Sequence, residues 1–454
     1  MGRPAQLTAR PGAHSTHGPH FGKSAKHRMR TSFFCLAFLA MLWFSAPWPA
    51  RAQPAMPPAP GSFSAHLHGY FQFSLGGFGS SLNETGAGLG PVLAVPELHL
   101  RPGIDAMSGN NIAYGARAEL LSPYSSQGGG KTGKTGASAS SVRAIALNRA
   151  YGYIGTASLG TLRLGQTDSA FTLLQTGVIE AFGDGGQWTL QGGAAAALPR
   201  GAAPVSTIIY ADQPALYATP KLVYLSPDFN GVSFVAGFEP NANGIKQGYA
   251  PGAAGTPVSP AAYPPAQPGN AGYRRKNTVD AAVRYRQTTD ALFYKLSIGV
   301  LHGTPAQNPA AGLHLSYNPL NVYQAGAQVS YAGLTLGANI KAGQVEDGYA
   351  LQPKGARDAL SYILGATYQI GPVILGGSYF NAQTAGAYFP GNTGHVARTL
   401  SEYGAAVGGN YIFNDHLSLF TQYMYGHRHQ PGNPELTNGN AQVQLIMTGA
   451  AYSW

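Results

Sequence analysis

Short turns and long connections alternate strictly along this chain, and that alternation constrains the fold more than any other feature. Seven short stretches carry the Asn, Asp, Gly and Pro residues that tight turns require. They lie at 109–111, 157–160, 227–231, 288–290, 332–333, 371–372 and 413–416. Eight longer Gly-, Pro- and Asn-rich stretches separate and flank them, at 76–93, 122–141, 166–219, 241–276, 304–321, 344–357, 383–398 and 426–440. Fifteen interleaved connections predict sixteen strands, with the first and last strand both reaching the short-turn side.

The segments between these connections alternate apolar and polar residues. From residue 65 the chain reads AHLHGYFQFSL, which puts Leu67 and Phe71 on one face and His68 and Gln72 on the other. The same period of two runs through 279–286 and 292–300. Because successive side chains of a strand point to opposite faces, these segments are predicted to be strands with one apolar and one polar face.

The composition decides what kind of sheet this is. Only 10% of the residues are charged, whereas a soluble protein averages roughly 25%. No continuous apolar span follows Trp48, so helical membrane crossing is not expected. A closed barrel satisfies every backbone group from strand to strand. The sequence therefore predicts an all-β fold, a transmembrane antiparallel β-barrel of sixteen strands with short periplasmic turns and long outer loops.

The N-terminal part has the form of an export signal. Arg28 and Arg30 precede an apolar run at 33–48, and the small-x-small sequence Ala50-Arg51-Ala52 follows it. This order is typical of a signal peptide, so we expect export to the cell outer membrane with cleavage after Ala52. Met29 is an alternative start of the chain.

Three parts of unequal size follow from these features. We expect an N-terminal extension and signal peptide at 1–52, a Pro-rich spacer at 53–60 and a barrel domain at 61–454. Residues 1–52 hold seven of the 28 Lys and Arg and none of the 18 Asp and Glu, so the remainder has a net charge of only +3. It also lacks a basic block interleaved with aromatic residues, so no nucleic-acid partner is expected.

Chemistry that depends on reactive or metal-binding groups is weakly represented. The single cysteine, Cys35, lies in the predicted signal, which leaves no thiol for a disulfide. No Cys/His cluster has zinc-site spacing, and the GAGLG stretch at 86–90 lies in a loop and opens no helix. We expect no enzymatic activity, because no nucleophile motif is present, and no catalytic residue, cofactor or metal.

Several segments resemble the general, non-specific trimeric porins of Gram-negative outer membranes. NRAYGYIGTASLGTLRLGQ at 148–166 is similar to the strand-turn-strand that precedes the constriction loop of that family. KLVYLSPDFNGVSFVAGFEP at 221–240 is similar to the pair that follows it, and the hairpins at 110–121 and 403–426 also resemble the family. The resemblance covers nearly the whole chain after the signal. It implies a water-filled homotrimeric pore, narrowed by a third loop that folds into the lumen.

The polar faces of the early strands supply candidate pore residues. If the apolar face meets lipid, Arg101, Arg117, Arg149 and Arg163 line the lumen, since charge on the lipid face costs roughly 2–4 kcal/mol at midplane. In the third loop, EAFGDGG at 180–186 resembles the acidic Pro-Glu-Phe-Gly-Gly signature of the family, without its Pro. The pore-lining and constriction residues are therefore predicted to be these four arginines together with Glu180, Phe182 and Asp184.

Three functions remain open on the sequence alone. The leading one is passive diffusion of ions and small hydrophilic solutes through a water-filled channel. A porin selective for sugars or organic anions is second, with Tyr70, Tyr151 and Tyr153 as a possible aromatic row on the lumen face. A structural barrel without a channel is third. We expect outer-membrane lipid to surround the barrel. Small lipid-face residues such as Ala116 and Gly152 indicate that this part of the barrel wall contacts neighbouring subunits of a homotrimer.

Overall fold

The computed structural model describes residues 59–81, 92–122, 146–188, 219–241, 273–307, 317–345, 349, 351–352, 354–384, 399–431 and 439–454. The predicted signal and most of the predicted spacer lie outside the described residues. All described residues belong to one unit, Pro47–Trp454. Among them, no helix has the length and apolar character needed to span a membrane.

Sixteen strands form one closed antiparallel barrel in which each strand pairs with its neighbours along the chain. Their bounds are β1 Phe63–Ser80, β2 Val92–Met107, β3 Ala113–Ser122, β4 Ala146–Thr156, β5 Gly160–Gln166, β6 Pro220–Leu225, β7 Val232–Asn241, β8 Tyr273–Thr289, β9 Leu292–Gln307, β10 Leu320–Tyr331, β11 Leu334–Gln344, β12 Ala359–Ile370, β13 Val373–Thr384, β14 Leu400–Ile412, β15 Leu417–His429 and β16 Asn440–Ser453. One short helix, α1, spans Ala170–Leu173. The predicted strand number and the interleaving of seven short and eight long connections are confirmed.

The barrel closes where the last strand meets the first. β1 and β16 pair in register from Tyr70↔Ser453 to Ser80↔Val443. Beyond them, the backbone N–H groups of Gly69 and Trp454 each donate to the other residue's carbonyl over 3.0 Å. A Cβ on Gly69 would lie 1.9 Å from the Trp454 ring, so glycine is required for the ring to cover this seam.

Side chains alternate between an outer apolar face and the lumen. On β1, Phe71 and Phe73 are exposed on the outer surface, whereas Gln72 and Ser74 between them are buried inside. Tyr323 and Tyr331 both lie on the outer face of β10. At ~3.3 Å per residue they are about 26 Å apart along the strand, which fits two aromatic girdles flanking an apolar band.

The strands extend further toward the long loops than the turn chemistry predicted. β1 continues through the glycines at 76, 77 and 79 to Ser80. Gly76 is required inside this strand because a Cβ there would lie 2.5 Å from the carbonyl oxygen of Ile446 on β16. A close approach between backbones therefore accounts for a glycine that the sequence alone assigns to a loop.

Candidate functional site: the lumen and its third loop

Four arginines follow one another around the inner wall, one on each of four adjacent strands. Arg101 lies on β2, Arg117 on β3, Arg149 on β4 and Arg163 on β5. We call them the arginine ladder. Neighbours along the strands, such as Leu164 beside Arg163, are exposed on the outer face. The alternation of the strands therefore points the ladder inward, as the polar pattern predicted.

Strand carboxylates that the sequence left unassigned pair with the ladder. Arg101 Nε lies 3.0 Å from Glu119 Oε1. Arg117 Nη2 lies 3.1 Å from both carboxylate oxygens of Asp105. These are charge-assisted hydrogen bonds between neighbouring strands, so the guanidinium groups are held at defined positions on the wall.

Arg149 joins the ladder to the start of the third loop. Its Nε lies 2.9 and 3.0 Å from the two carboxylate oxygens of Asp168, two residues after the end of β5. Its Nη1 also donates to Glu119, the partner of Arg101. The entry of the loop is therefore fixed to the same network that holds two of the four arginines.

The paired charges differ in their exposure to the lumen. The side chains of Arg101 and Arg117 are 59% and 48% exposed, whereas those of Glu119 and Asp105 are 8% and 13% exposed. The carboxylates are thus recessed behind their guanidinium partners. Water in the lumen meets a surface that is more positive than a count of charges indicates.

Tyrosines that the sequence placed on the lumen face belong to this network. The guanidinium of Arg163 lies 5.1 Å from the centre of the Tyr151 ring. Among the described residues, no carboxylate lies within ion-pair distance of Arg163. Tyr153 donates its hydroxyl proton to Asp105, and Arg117 lies 5.8 Å from its ring centre. Both rings therefore make cation–π contacts, and the Tyr153 hydroxyl also forms a hydrogen bond.

Two histidines extend the network toward β1 and were not predicted as part of it. His99 on β2 hydrogen-bonds Glu97, and its Nδ1 lies 3.7 Å from Glu119. His66 Nδ1 lies 3.6 Å from Asp105. Their positions on the polar face were readable from the alternation, but their partners depend on the register between strands.

The described part of the third loop, 167–188, runs along the inside of the barrel wall. Near its start the N–H of Phe171 donates to Asp280 on β8 over 2.9 Å. Further on, Asn339 on β11 donates its side-chain amide to the carbonyl of Thr176 over 2.8 Å. These partners point into the lumen, so this part of the loop lies inside the barrel. Residues 189–218 of the predicted loop lie outside the described residues.

The loop then continues to the strands that close the barrel. Asn410 on β14 donates to the carbonyl of Gly183 over 2.8 Å, and the N–H of Asp184 donates to Gln422 on β15 over 2.9 Å. Side-chain amides that emerge from the wall thus bind loop backbone groups at successive strands. The described loop crosses the inner wall from β8 to β15.

Glycines beneath the loop allow its backbone to approach the wall. A Cβ on Gly326 of β10 would lie 2.1 Å from the carbonyl oxygen of Thr176. A Cβ on Gly337 of β11 would lie 2.7 Å from the carbonyl oxygen of Gly177. Any larger residue at these positions would displace loop backbone, so the two glycines form the seat of the loop.

The three predicted loop residues occupy different environments. Phe182 is fully buried in an apolar cluster with Phe380 and Phe420, over Gly376, where it holds the loop against the wall. Glu180 is half-buried, and its carbonyl accepts the N–H of Phe182 over 2.7 Å. Asp184 Oδ1 accepts the N–H of Gly186 over 3.2 Å.

Asp184 lies on the side of the loop that is nearest the ladder. Its N–H is bound to Gln422 on β15, and only β16 and β1 separate β15 from β2, which carries Arg101.

Comparison with known proteins decides the family. The sequence model of the Gram-negative porins matches residues 43–430, which is most of the chain. The chain belongs to the Gram-negative porin family. It is an outer-membrane channel for the passive diffusion of small solutes, as the leading sequence interpretation held.

Solved porin structures share the fold at low sequence identity. Salmonella typhi OmpF in complex with daunomycin is 12% identical, with a TM-score of 0.52 over 86% of this chain and 97% of that chain. An anion-selective porin from Comamonas acidovorans is 12% identical, with a TM-score of 0.51 over 87% of this chain and 100% of that chain. No curated protein sequence matches this porin.

A buried charge cluster, unpredicted from the sequence, fastens the far end of the third loop. Glu239 on β7 accepts from Arg275 Nε and Nη2 over 3.0 and 3.1 Å, and Lys221 Nζ lies 3.6 Å from it. Thr219, where the described chain resumes after the loop, donates to the same carboxylate over 2.5 Å. All three charged side chains are at most 3% exposed, so the cluster is part of the wall and not of the water-filled lumen.

Tyr349, between β11 and β12, closes the outer side of this cluster. Its carbonyl accepts from Arg275 Nη1 over 3.4 Å, and its hydroxyl accepts from Lys341 Nζ over 3.3 Å. Burial raises the pKa of the Tyr349 phenol, so the hydroxyl stays protonated at physiological pH. Within the described residues, no three His, Cys, Asp or Glu side chains converge as metal ligands.

Proposed function

We propose that this porin is a weakly selective general diffusion channel whose constriction lies between the arginine ladder and the third loop. The observation that carries the proposal is the difference in exposure within the ladder. The guanidinium groups of Arg101 and Arg117 face the lumen, and their carboxylate partners Glu119 and Asp105 are recessed behind them. In this proposal Glu180 and Asp184 supply the opposing negative charge from the loop.

Charges arranged in this way explain a preference for small hydrophilic solutes. A positive wall and a negative loop across a narrow aqueous gap create a transverse field that orients water. Polar solutes replace that ordered water with interactions of their own, whereas apolar solutes displace it without compensation. In this proposal Phe182 acts indirectly, because it is buried and holds the loop in place.

The sign of the ion selectivity depends more on how exposed the charged side chains are than on how many of each sign there are. Near the ladder, four arginines face four carboxylates, namely Glu97, Asp105, Glu119 and Asp168. The count alone gives no preference. Because Arg101 and Arg117 are far more exposed than Glu119 and Asp105, whereas Arg149 and Asp168 are about equally exposed, we infer a weak preference for anions. The Comamonas acidovorans porin of the same fold is described as anion-selective.

Conductance measured with a panel of solutes tests this proposal. A large, ohmic and weakly selective conductance supports general diffusion. A small conductance that micromolar sugar blocks would favour the substrate-selective alternative. The aromatic residues invoked for that alternative already have partners, since Tyr151 stacks with Arg163 and Tyr153 bonds Asp105. Absence of conductance would favour the structural alternative.

We further propose that the porin is a homotrimer that contacts its copies through the outer face of β2–β5. This face carries a shallow groove lined by small side chains, including Ala116, Ala118, Ala150 and Gly152. Small residues permit close approach between surfaces in a membrane. Unboiled detergent gels should show a species near three times the monomer mass, and a monomer at every detergent concentration would contradict the assignment.

The last part of the proposal concerns the division of the chain into signal, spacer and barrel, and its lack of enzymatic activity. We propose that residues 1–52 are a cleaved signal, that 53–60 form a spacer and that 61–454 are the mature barrel, without enzymatic activity. The export pattern before Ala52 supports the cleavage site. N-terminal sequencing of the protein purified from outer membranes tests it: the first residue should be Gln53.

A further inference from the structure

Three inward-facing polar residues form a row across the neighbouring strands β7, β8 and β9. Ser233 pairs with Arg284, and Arg284 pairs with Ser297. Residues next to them in sequence, such as Val283 and Ile298, are exposed on the outer face. Directly opposed residues have Cβ atoms roughly 5 Å apart, so the three side chains can reach a common point.

In each residue of this row, one side-chain polar atom is buried and has no partner among the described residues. These atoms are Ser233 Oγ, Arg284 Nε and Ser297 Oγ. Buried polar atoms in folded proteins nearly always have a hydrogen-bond partner. Three such atoms side by side indicate a position for a ligand that accepts hydrogen bonds.

Positive charge accumulates at the same place. One step nearer the short turns, Arg286 pairs directly with Lys295 across β8 and β9. Arg284 and Arg286 both act electrostatically on Lys295. Like charges directly opposite each other destabilise a sheet. Among the described residues, Asp228, 3.2 Å from Arg286, is the carboxylate that pairs with this group of cations.

The location separates this group from the arginine ladder. One step toward the outer side, Val235 and Ala282 pack beneath Ala170 and Leu174 of the third loop. The row therefore lies on the periplasmic side of the docked loop, near the short turn that contains Asp228. An anion leaving the constriction toward the periplasm would meet it.

We propose that Ser233, Arg284, Ser297, Arg286 and Lys295 form a binding site for a tetrahedral oxyanion of the inorganic phosphate class. Water can satisfy the hydroxyl groups, but a bound anion also offsets the positive charge of the three cations that Asp228 alone does not balance. A tetrahedral oxyanion presents several acceptor oxygens, which suits a guanidinium flanked by two hydroxyl groups. The site rests on the proposed function only in that the anion reaches it through the channel.

Titration of chloride current with inorganic phosphate tests the site in the intact, reconstituted porin. The wild-type current should fall saturably as phosphate is added. In Arg284→Gln and in Lys295→Gln, the half-blocking concentration should rise roughly tenfold or more, as expected when a charged hydrogen bond to an anion is lost. The matched controls Arg357→Gln and Lys276→Gln remove exposed cations elsewhere and should leave that concentration unchanged.

A second measurement detects the bound anion without relying on current. Phosphorus-31 NMR of inorganic phosphate should show saturable line broadening on addition of the purified wild-type porin. Arg284→Gln should abolish that broadening, whereas Arg357→Gln should leave it unchanged. Conductance without saturable phosphate block and without line broadening would overturn the site and leave the channel function intact. Absence of conductance would instead refute the proposed function.

Discussion

Arg117 on β3 reaches across to Asp105 on β2, and its Nη2 lies 3.1 Å from both carboxylate oxygens. The arginine is half exposed to the lumen, whereas the aspartate is recessed. The pair thus presents a guanidinium to passing ions and hides most of the compensating charge. This geometry underlies the predicted preference for anions.

Neutralising two ladder arginines should move the selectivity toward cations. In Arg117→Gln/Arg149→Gln, Asp105 loses its arginine partner and Glu119 keeps only Arg101, while the glutamines still offer amide donors. The reversal potential in a KCl gradient should shift toward the potassium equilibrium potential, with conductance retained. Arg357→Gln, an exposed cation outside the strands, is the control. An unchanged reversal potential in the double variant would show that the ladder does not set the selectivity.

Crowding the seat of the third loop should narrow the pore. A Cβ on Gly326 would lie 2.1 Å from the Thr176 carbonyl oxygen, so Gly326→Val must push the loop away from the wall and into the lumen, at a cost of about 1–3 kcal/mol. Solutes near the size limit should then enter liposomes containing the porin more slowly, and single-channel steps should shrink. Gly79→Val is the matched control, because a Cβ there meets no atom within 4 Å. Equal solute exclusion in both variants would contradict an inward loop that limits passage.

Breaking the buried charge cluster should destabilise the barrel. Glu239→Gln leaves Arg275 and Lys221 buried without their shared carboxylate, and loss of one partner of a buried pair costs about 3–5 kcal/mol. The temperature at which the folded band disappears on gels should therefore fall. Asp290→Asn, in an exposed turn where Asn tolerates the positive φ of 49°, is the control. An unchanged transition in Glu239→Gln would mean that the cluster contributes little.

Filling the groove of small residues should disrupt trimers without unfolding the monomer. The fold has room for a side chain at Gly152, whose Cβ would lie 3.6 Å from the nearest atom, the Gly115 carbonyl oxygen. Ala116→Leu/Gly152→Leu should therefore reduce the trimer band on unboiled gels. Ala281→Leu places a leucine on the outer face of β8, away from the groove, and should leave that band unchanged. If the double variant stays trimeric, the contact wall lies elsewhere on the barrel.

Much of the wall could be predicted from the sequence because strand periodicity and turn chemistry are local. The alternation around Phe71 identifies the lipid face without knowledge of any neighbour. The same reasoning is less informative on β16, where the apolar Val443, Leu445 and Met447 point inward and are buried. They do so because Phe182 and Trp188 of the third loop fill the lumen beside them.

The arrangement of the site depends on contacts that local patterns do not encode. Arg149 and Glu119 could be assigned to the same face, but their contact needs the register between β3 and β4, which includes a bulge after Glu119. The bond from Phe171 to Asp280 joins residues 109 positions apart. Asp168, which holds Arg149, gave no signal in the sequence beyond its place after a strand.

Single-channel recording of the purified wild-type protein in a planar bilayer tests the central claim most directly. In a KCl gradient the protein should give large, ohmic steps that micromolar sugars do not block, with a reversal potential displaced modestly toward the chloride equilibrium potential. A reversal potential on the potassium side would contradict the account of the exposed arginines. Absence of steps from correctly folded protein would contradict the channel itself.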